Sequence, residues 1–209
     1  MRKILILLMT LCLAIGLAAC GGGSTSDETA ETDTGSAATE EPTSETEGNN
    51  SGNSTLVVYF SVTGNTKGVA EKIADITGAD VYEIKAAEEY TNEDIDYNDE
   101  DSRTTHEQND SSARPEIGSD KLSLEGYQTI YIGYPIWWGQ EPRIMDTFAE
   151  SYDFDGITVI PFCTSGSSDI GQSGKNLADN AGSGNWLPGA RFGSGASEHE
   201  IRTWVEDME

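Results

Sequence analysis

The sequence predicts an α/β fold, with a parallel sheet between layers of helices, for the part of the chain that follows residue 54. Segments with strand patterns alternate with segments with helix patterns through residues 55–209. The best-defined strands are also continuous apolar runs, which is typical of strands buried on both faces. Together these two observations favour a parallel sheet that is covered by helices on both sides.

The first strand and the first helix are the clearest elements. Thr55–Phe60 is an unbroken run of apolar and β-branched residues, and it predicts a buried strand. Apolar residues from Val69 to Ile76 then recur at the spacing of one helix face, and Gly78 supplies a stop signal.

The later elements follow the same alternation. Pro142 stands in the first turn of a helix, where proline is well tolerated. Pro161 argues against its strand, because proline cannot donate to a hydrogen-bond ladder. The predicted elements are an outer strand at Val81–Lys85, a strand at Thr129–Tyr134, a helix at Arg143–Glu150, a strand at Ile157–Cys163, a short helix at Gln172–Asn180, an edge strand at Trp186–Phe192 and a terminal helix opened by the capping box Ser197–Glu200.

Residues 86–127 depart from the alternation, since they form an acidic, polar stretch with no convincing helix. Asp94, Asp96 and Asn98 have the spacing that begins a calcium-binding EF-hand loop. Asp99 and Thr105 stand where that loop needs Gly and Glu, so the signature fails. We predict a surface loop that covers one flank of a binding site.

The N-terminus predicts a lipoprotein signal peptide over residues 1–19. A short basic start precedes the apolar run Ile4–Leu17, which is too short to cross the roughly 30 Å core of a bilayer. The run ends in Leu-Ala-Ala-Cys, which resembles the bacterial lipobox, so we expect Cys20 to become a lipidated N-terminus. The alternative is an uncleaved anchor with an incidental cysteine. Both interpretations place the rest of the chain outside the cytoplasm, anchored to a membrane.

Residues 20–54 are predicted to be a disordered acidic tether. The segment has eight Asp and Glu residues, no Lys or Arg and almost no large apolar side chain, so it cannot offset the entropy of folding. Residues 55–209 have the size of one domain and hold 29 acidic against 10 basic residues, a net charge of −19. That charge argues against nucleic acid or anionic lipid as partners and permits attraction of basic partner proteins.

The cysteines and histidines predict no metal site and no disulfide. Cys163 remains as the lone cysteine of the predicted domain, at the end of an apolar strand, where a buried structural thiol is expected. His106 and His199 stand apart from each other and from it, and no Cys/His spacing suits a metal.

The loop after the first strand predicts an anion-binding turn. It carries hydroxyls at Ser61, Thr63 and Thr66, a flexible Gly64, and Asn65 at the start of a helix. Backbone N–H groups at a helix N-terminus attract phosphate, and the hydroxyls add neutral donors. The spacing of a Walker-type loop is missing. The alternative is a simple cluster of N-cap residues.

Two further loops follow predicted strands, and both have unusual composition. Pro135-Ile136-Trp137-Trp138-Gly139 places adjacent tryptophans in a loop, which core packing explains poorly and which suits stacking on a flat ring. Residues 164–171, rich in Gly and Ser, offer hydroxyls and backbone groups that can close over a ring edge. A nucleophilic serine is the rival interpretation, but no Gly-x-Ser-x-Gly elbow is present.

Residues 55–209 resemble the flavodoxins, in particular a bacterial flavodoxin-like group. The resemblance is carried by Tyr134–Gly139, by Pro161–Gly166 and by the phosphate motif Ser61-x-Thr63-Gly64-x-Thr66. It implies a doubly wound five-stranded sheet of order 2-1-3-4-5 and FMN as cofactor. The residues implied to bind FMN are Ser61, Thr63, Gly64, Asn65, Thr66, Pro135, Ile136, Trp137, Trp138, Gly139, Thr164, Ser165, Gly166 and Ser167.

The resemblance implies redox chemistry without fixing the reaction. A membrane-tethered, low-potential electron carrier is the favoured hypothesis, with one or more redox partner proteins. An NAD(P)H-dependent flavin or quinone reductase on the same fold is the first alternative, although no basic cluster suits a dinucleotide phosphate. A flavin-free surface lipoprotein that binds a partner is the second.

Overall fold

The computed structural model describes residues 54–208, and within them it confirms the predicted fold class. The parallel strands β1 to β5 follow the order β2-β1-β3-β4-β5, and the short β6 also pairs with β4. The elements are β1 Thr55–Phe60, α1 Asn65–Thr77, β2 Asp80–Ile84, α2 Arg103–Asn109, β3 Thr129–Pro135, α3 Arg143–Ser151, β4 Thr158–Thr164, α4 Ser173–Ala181, β5 Asn185–Trp186, β6 Ala190–Phe192 and α5 Glu198–Met208.

Both faces of the sheet are covered, as the apolar strands require. On one face, Val69 and Ile73 of α1 pack with Ile201 and Val205 of α5 against the sheet. On the other face, α3 and α4 pack against the sheet through side chains such as Phe148. None of the helices within residues 54–208 is both long and apolar enough to cross a bilayer.

The predicted edge strand Trp186–Phe192 is split into β5 and β6, and the split explains Pro161. The carbonyls of Ile157 and Val159 accept hydrogen bonds from the N–H groups of Asn185, in β5, and Leu187, just after it. Because backbone groups alternate in direction along a strand, Pro161 faces the same side. The gap between β5 and β6 lies opposite it, so the proline stands where the ladder on that side is interrupted. The proline therefore stands inside a strand that is paired on both sides.

The acidic stretch contains a short helix, α2, that the sequence did not predict. Ser102 caps its N-terminus by accepting from the Thr105 N–H. The Arg143 guanidinium donates to the Glu107 and Gln108 carbonyls at its other end, at 3.3 and 3.1 Å. The helix thus depends on a residue 35 positions away. A bridge between Ala86 and Ile117 fastens the far end of the stretch to the end of β2.

The other element predictions hold within one or two residues. Ser197 accepts from the Glu200 N–H at the start of α5, as the capping box predicts. Cys163 is a buried free thiol. The predicted signal over residues 1–19, Cys20, and all of the predicted tether except Ser54 lie outside the described residues.

Gly133 is a packing constraint at the centre of the sheet. A methyl group added there would collide with the ring of Phe162, which is fully buried. We expect Gly133→Ala to lower the free energy of unfolding by about 1–3 kcal/mol, as overpacked cores do. Urea unfolding measures this. In Gly68→Ala, inside α1, the added methyl meets no atom within 4 Å, so this control should be neutral or stabilising. Equal stability of the Gly133→Ala variant and the unmodified chain would contradict the packing argument.

Candidate functional site

The three predicted loops meet at one edge of the sheet. They follow β1, β3 and β4, which pair in parallel and therefore end together. A cleft of about 280 Å³ opens between them. We call it the three-loop cleft. Its lining residues are Thr63, Asn65, Ile95, Tyr97, Pro135, Ile136, Trp137, Thr164, Ser165, Gly166 and Ser194.

Other hollows in the described part of the chain suit the predicted ligand less well. One of about 210 Å³ lies between the ends of β1 and β2 and includes Ser61 of the first loop. Its charged lining residues are Glu83, Glu89 and Lys85, so its net charge is negative and disfavours a phosphate. Another of about 340 Å³ includes Thr55, Thr129 and Thr158, the first residues of β1, β3 and β4. It therefore lies at the amino edge, whereas ligands of open parallel sheets bind at the carboxyl edge.

The first loop has the conformation that an anion site needs. Gly64 adopts a left-handed backbone (φ 83°) that favours glycine, and its N–H donates to the Ser61 hydroxyl at 3.1 Å. The helix begins at Asn65, so the N–H groups of its first turn have no acceptor within the helix. The Thr63 hydroxyl accepts from the Asn65 amide at 3.0 Å, and both residues line the cleft.

Thr66 lies beneath the first loop and joins it to the third. Its hydroxyl is 2.7 Å from that of Thr164, and both side chains are buried. Only one hydrogen can lie between the two oxygens, so the accepting hydroxyl retains a hydrogen of its own to donate. Since Thr164 lines the cleft, the pair fixes the distance between the two loops at the point where a ligand would bridge them.

The second loop is a tight hairpin turn. Trp137 and Gln140 exchange two backbone hydrogen bonds at 2.9 and 3.0 Å, and the residues between them both have left-handed backbones. That is the geometry of a type I′ turn. Glycine suits it at position 139, but Trp138, at φ 48°, is an uncommon bulky occupant. Local strain of this kind is concentrated at binding sites.

The two tryptophans have different environments. Core packing explains Trp137, contrary to the sequence-based expectation: it is 4% exposed and packs edge-on against Phe60 and Tyr90. Trp138 is only partly buried, and its ring lies against that of Tyr97 with 4.5 Å between centroids. The Tyr97 hydroxyl donates to the Ile136 carbonyl at 3.3 Å. The acidic stretch therefore covers one flank of the cleft, as predicted.

The structure brings most of the predicted binding residues to the cleft. Ser61, Gly64, Thr66, Trp138, Gly139 and Ser167 shape the same loops without being part of the lining. Sequence analysis missed Ile95, Tyr97 and Ser194. Ser194 follows the fifth strand position, so the rule that ligands bind at carboxyl ends could have found it. Tyr97 had no such signal, because its place depends on how a long loop folds back.

The cleft lining carries no charged side chain, although the domain is strongly acidic. Its donors are hydroxyls, amides and backbone N–H groups. Its apolar walls come from Ile95, Tyr97, Pro135, Ile136 and Trp137. That mixture fits a planar heterocycle joined to a phosphate held by neutral donors. Within residues 54–208, no group of three or more His, Cys, Asp and Glu side chains is placed to hold a metal ion.

Behind the second loop lies a buried ionic cluster that sequence analysis also missed. Glu141 and Asp146 are each 1% exposed, and Arg143 lies between them, 3.2 Å from Asp146 and 4.0 Å from Glu141. The amide of Asn176 donates to both carboxylate oxygens of Glu141 at 3.1 Å. Burial raises the pKa of Glu141 to about 7, helped by repulsion from Asp146 and opposed by hydrogen bonds and Arg143.

Comparison with known proteins gives a consistent family. A sequence model described as Flavodoxin matches residues 54–208. No protein in a set of curated sequences matches the chain significantly.

Solved structures agree with the family model. A Bacteroides uniformis protein described as a flavoprotein is 47% identical, with a TM-score of 0.69 over 73% of this chain and 97% of its own. A counterpart from Bacteroides eggerthii is 42% identical, with a TM-score of 0.68 over 73% and 96%. A Lactobacillus acidophilus flavoprotein in complex with FMN is 26% identical, with a TM-score of 0.53 over 72% and 97%.

Glu141 gives the domain a testable pH dependence. A carboxyl whose pKa is raised on folding binds its proton more tightly in the folded state, so its contribution to stability falls as pH rises from the unfolded pKa to about 7. Relative to Glu141→Gln, the unmodified chain should lose up to about 1.4 kcal/mol per pH unit between about pH 5 and pH 7. Urea unfolding across that range measures the difference.

Glu150→Gln is the matched control. Hydrogen bonds from Arg114 lower the pKa of Glu150, so its contribution is lost only in more acidic solution. Its profile should run parallel to that of the unmodified chain over the same range. A Glu141→Gln profile that also ran parallel would contradict a raised pKa.

Proposed function

Because this chain belongs to the flavodoxin family, we propose that it is an FMN-binding electron carrier held to a membrane outside the cytoplasm. The observation that carries the proposal is the meeting of three loops around one uncharged cleft at the carboxyl edge of the sheet. The Lactobacillus acidophilus relative was solved in complex with FMN, which supports the same cofactor here. When bound, FMN supplies one- and two-electron redox chemistry.

The first loop is the proposed phosphate site. The free N–H groups at the start of α1, together with the Ser61 and Thr63 hydroxyls, offer neutral donors to the phosphate. Lys67 is the nearest cation in sequence, but it is exposed and lies 3.9 Å from Glu71. The phosphate charge is therefore held mainly by dipoles and hydroxyls.

The second and third loops are the proposed ring site. Tyr97 offers an aromatic face on one side, with the Trp138 ring packed against it, and Thr164–Gly166 supply backbone groups on the other. The acidic domain disfavours the additional negative charge that a flavin gains on full reduction, which favours a low potential for that step. A low-potential carrier would use the same negative charge to attract a basic partner protein.

An NAD(P)H-dependent reductase is the alternative on this fold. It would need to hold a second phosphate-bearing cofactor, and the cleft lining contains no cation to receive it. Bleaching of the flavin absorbance within seconds of adding NADPH would favour the reductase. Two separate one-electron steps during dithionite titration would favour the carrier.

The first test is selective binding of FMN by the full-length protein in mild detergent. Thr63→Val removes a cleft hydroxyl, so we expect the Kd for FMN to rise about tenfold, equivalent to one hydrogen bond to a charged group. Binding of riboflavin, which lacks the phosphate, should not change. Fluorescence quenching of the flavin measures both constants.

The control for this test is Thr203→Val, whose hydroxyl donates to the His199 carbonyl on the exposed face of α5. It should leave both constants unchanged. Failure of the unmodified protein to bind FMN would instead support the flavin-free partner-binding alternative.

The membrane tether is proposed from the lipobox alone. Cys20 would carry the lipid, and residues 21–54 would separate the domain from the membrane surface. Electron transfer would then take place near that surface.

Cys20→Ser tests the tether. Mass spectrometry of the N-terminal peptide should find an acylated cysteine at position 20 in the unmodified protein and no acyl group in the variant, because serine has no thiol to modify. An unprocessed Met1 terminus in the membrane fraction would support the uncleaved anchor instead.

A further inference from the structure

Arg191 of β6 lies directly behind the third loop and is bonded to it at three points. Its Nη2 donates to the carbonyl oxygens of Ser165 and Gly166 at 2.7 and 2.8 Å. Its Nε donates to the Ser165 hydroxyl at 3.1 Å. The same hydroxyl donates to the Ser168 carbonyl. One side chain therefore holds the backbone at Ser165 and Gly166, and Ser165 links it to Ser168.

These bonds fix the direction in which the loop presents its own donors. In a trans peptide the C=O of one residue and the N–H of the next point to opposite sides. With the Ser165 and Gly166 carbonyls turned toward Arg191, the N–H groups of Gly166 and Ser167 point away from it. The orientation of these two donors thus depends on the guanidinium.

Arg191 also differs from the other arginines in its partners. Four other arginines in the described part of the chain lie within 4.0 Å of a carboxylate: Arg103, Arg114, Arg143 and Arg202. No such pair involves Arg191 within residues 54–208, and its partners are neutral oxygens. Burial, and next the negative charge of Asp169, raises the pKa of the Cys163 thiol to about 12, and the positive charge of Arg191 opposes this rise.

The positive charge of Arg191 lies close to the three-loop cleft, whose lining has no charged side chain. Ser165 and Gly166 line the cleft, and the guanidinium nitrogen is 2.7–2.8 Å from their carbonyl oxygens. We propose that Arg191 is the positioning residue of the third loop and that its charge stabilises the fully reduced, anionic flavin relative to the oxidised one. This inference rests on the proposed FMN binding and deepens it.

The two roles have different consequences for a variant. Loss of the loop geometry weakens the binding of oxidised and reduced flavin alike, which leaves the midpoint potential unchanged. Loss of the charge weakens the binding of the reduced flavin more than that of the oxidised flavin, because only the reduced form has gained a negative charge. A tenfold difference between the two Kd values corresponds to about 30 mV in the two-electron midpoint potential.

The experiment compares Arg191→Met, Arg191→Lys and Arg202→Met in the full-length protein. Arg202 lies on α5 and pairs with Glu198 on the surface. Arg202→Met therefore removes the same formal charge away from the third loop. Spectroelectrochemical titration measures the midpoint potential, and flavin fluorescence measures the Kd of oxidised FMN. We expect Arg191→Met to lower the potential by about 30 mV and to raise the Kd about tenfold. Arg191→Lys should have a midpoint potential close to that of the unmodified protein but a higher Kd for oxidised FMN. Arg202→Met should change neither quantity.

An Arg191→Met potential equal to that of Arg202→Met would overturn the electrostatic role. The positioning role has a separate measurement, which needs no cofactor: hydrogen exchange of the amides at residues 165–168. These amides should exchange faster in Arg191→Met than in the unmodified apoprotein, and equal rates would overturn positioning. If the unmodified protein binds no FMN, the proposed function fails together with the charge role, while exchange still decides the positioning role.

Discussion

The hydrogen-bonded register of β1, β3 and β4 is the constraint on which the rest of the molecule depends. These strands are buried on both faces, so their backbone groups have no water to bind and must pair with a neighbouring strand. Parallel pairing then brings the loops after Phe60, Pro135 and Thr164 to one edge. The hydroxyl contact between Thr66 and Thr164 joins two of these loops there. The cleft is thus a product of the whole sheet and of no single loop.

Charge is arranged around the cleft in a way that its composition conceals. The lining is neutral, yet a buried carboxyl stands behind the second loop and the Arg191 guanidinium, which has no ion pair within residues 54–208, stands behind the third. Arg191 contacts the third loop through backbone carbonyls and a hydroxyl, whereas Glu141 lies in the buried cluster with Arg143 and Asp146. A neutral lining lets a ligand bind through hydrogen bonds and ring contacts, and in our proposal the charge of Arg191, one layer deeper, adjusts the field at the ligand.

How much the sequence could predict depends on how local each signal is. Thr55–Phe60 or the capping box at Ser197 is specified by its own residues, and the structure agrees with both. The α2 helix is polar and seven residues long, and its C-terminal carbonyls are satisfied by Arg143 from another helix. Its local signals, the Ser102 cap and the Arg103–Glu107 pair, are too few to predict it without that distant contact. Trp137 belongs to the same class, since its burial needs Phe60 and Tyr90 to converge on it, and so does Arg191.

The split fifth strand has a consequence for how the domain meets other copies of itself. An unbroken edge strand is a template for pairing with another chain, and proteins limit this with short or covered edges. Here β5 and β6 are two and three residues long, separated by a gap opposite Pro161. At the other edge, the Ala86–Ile117 bridge adds pairing just beyond the end of β2. The split edge is therefore a poor starting point for the edge-to-edge growth that leads to aggregation.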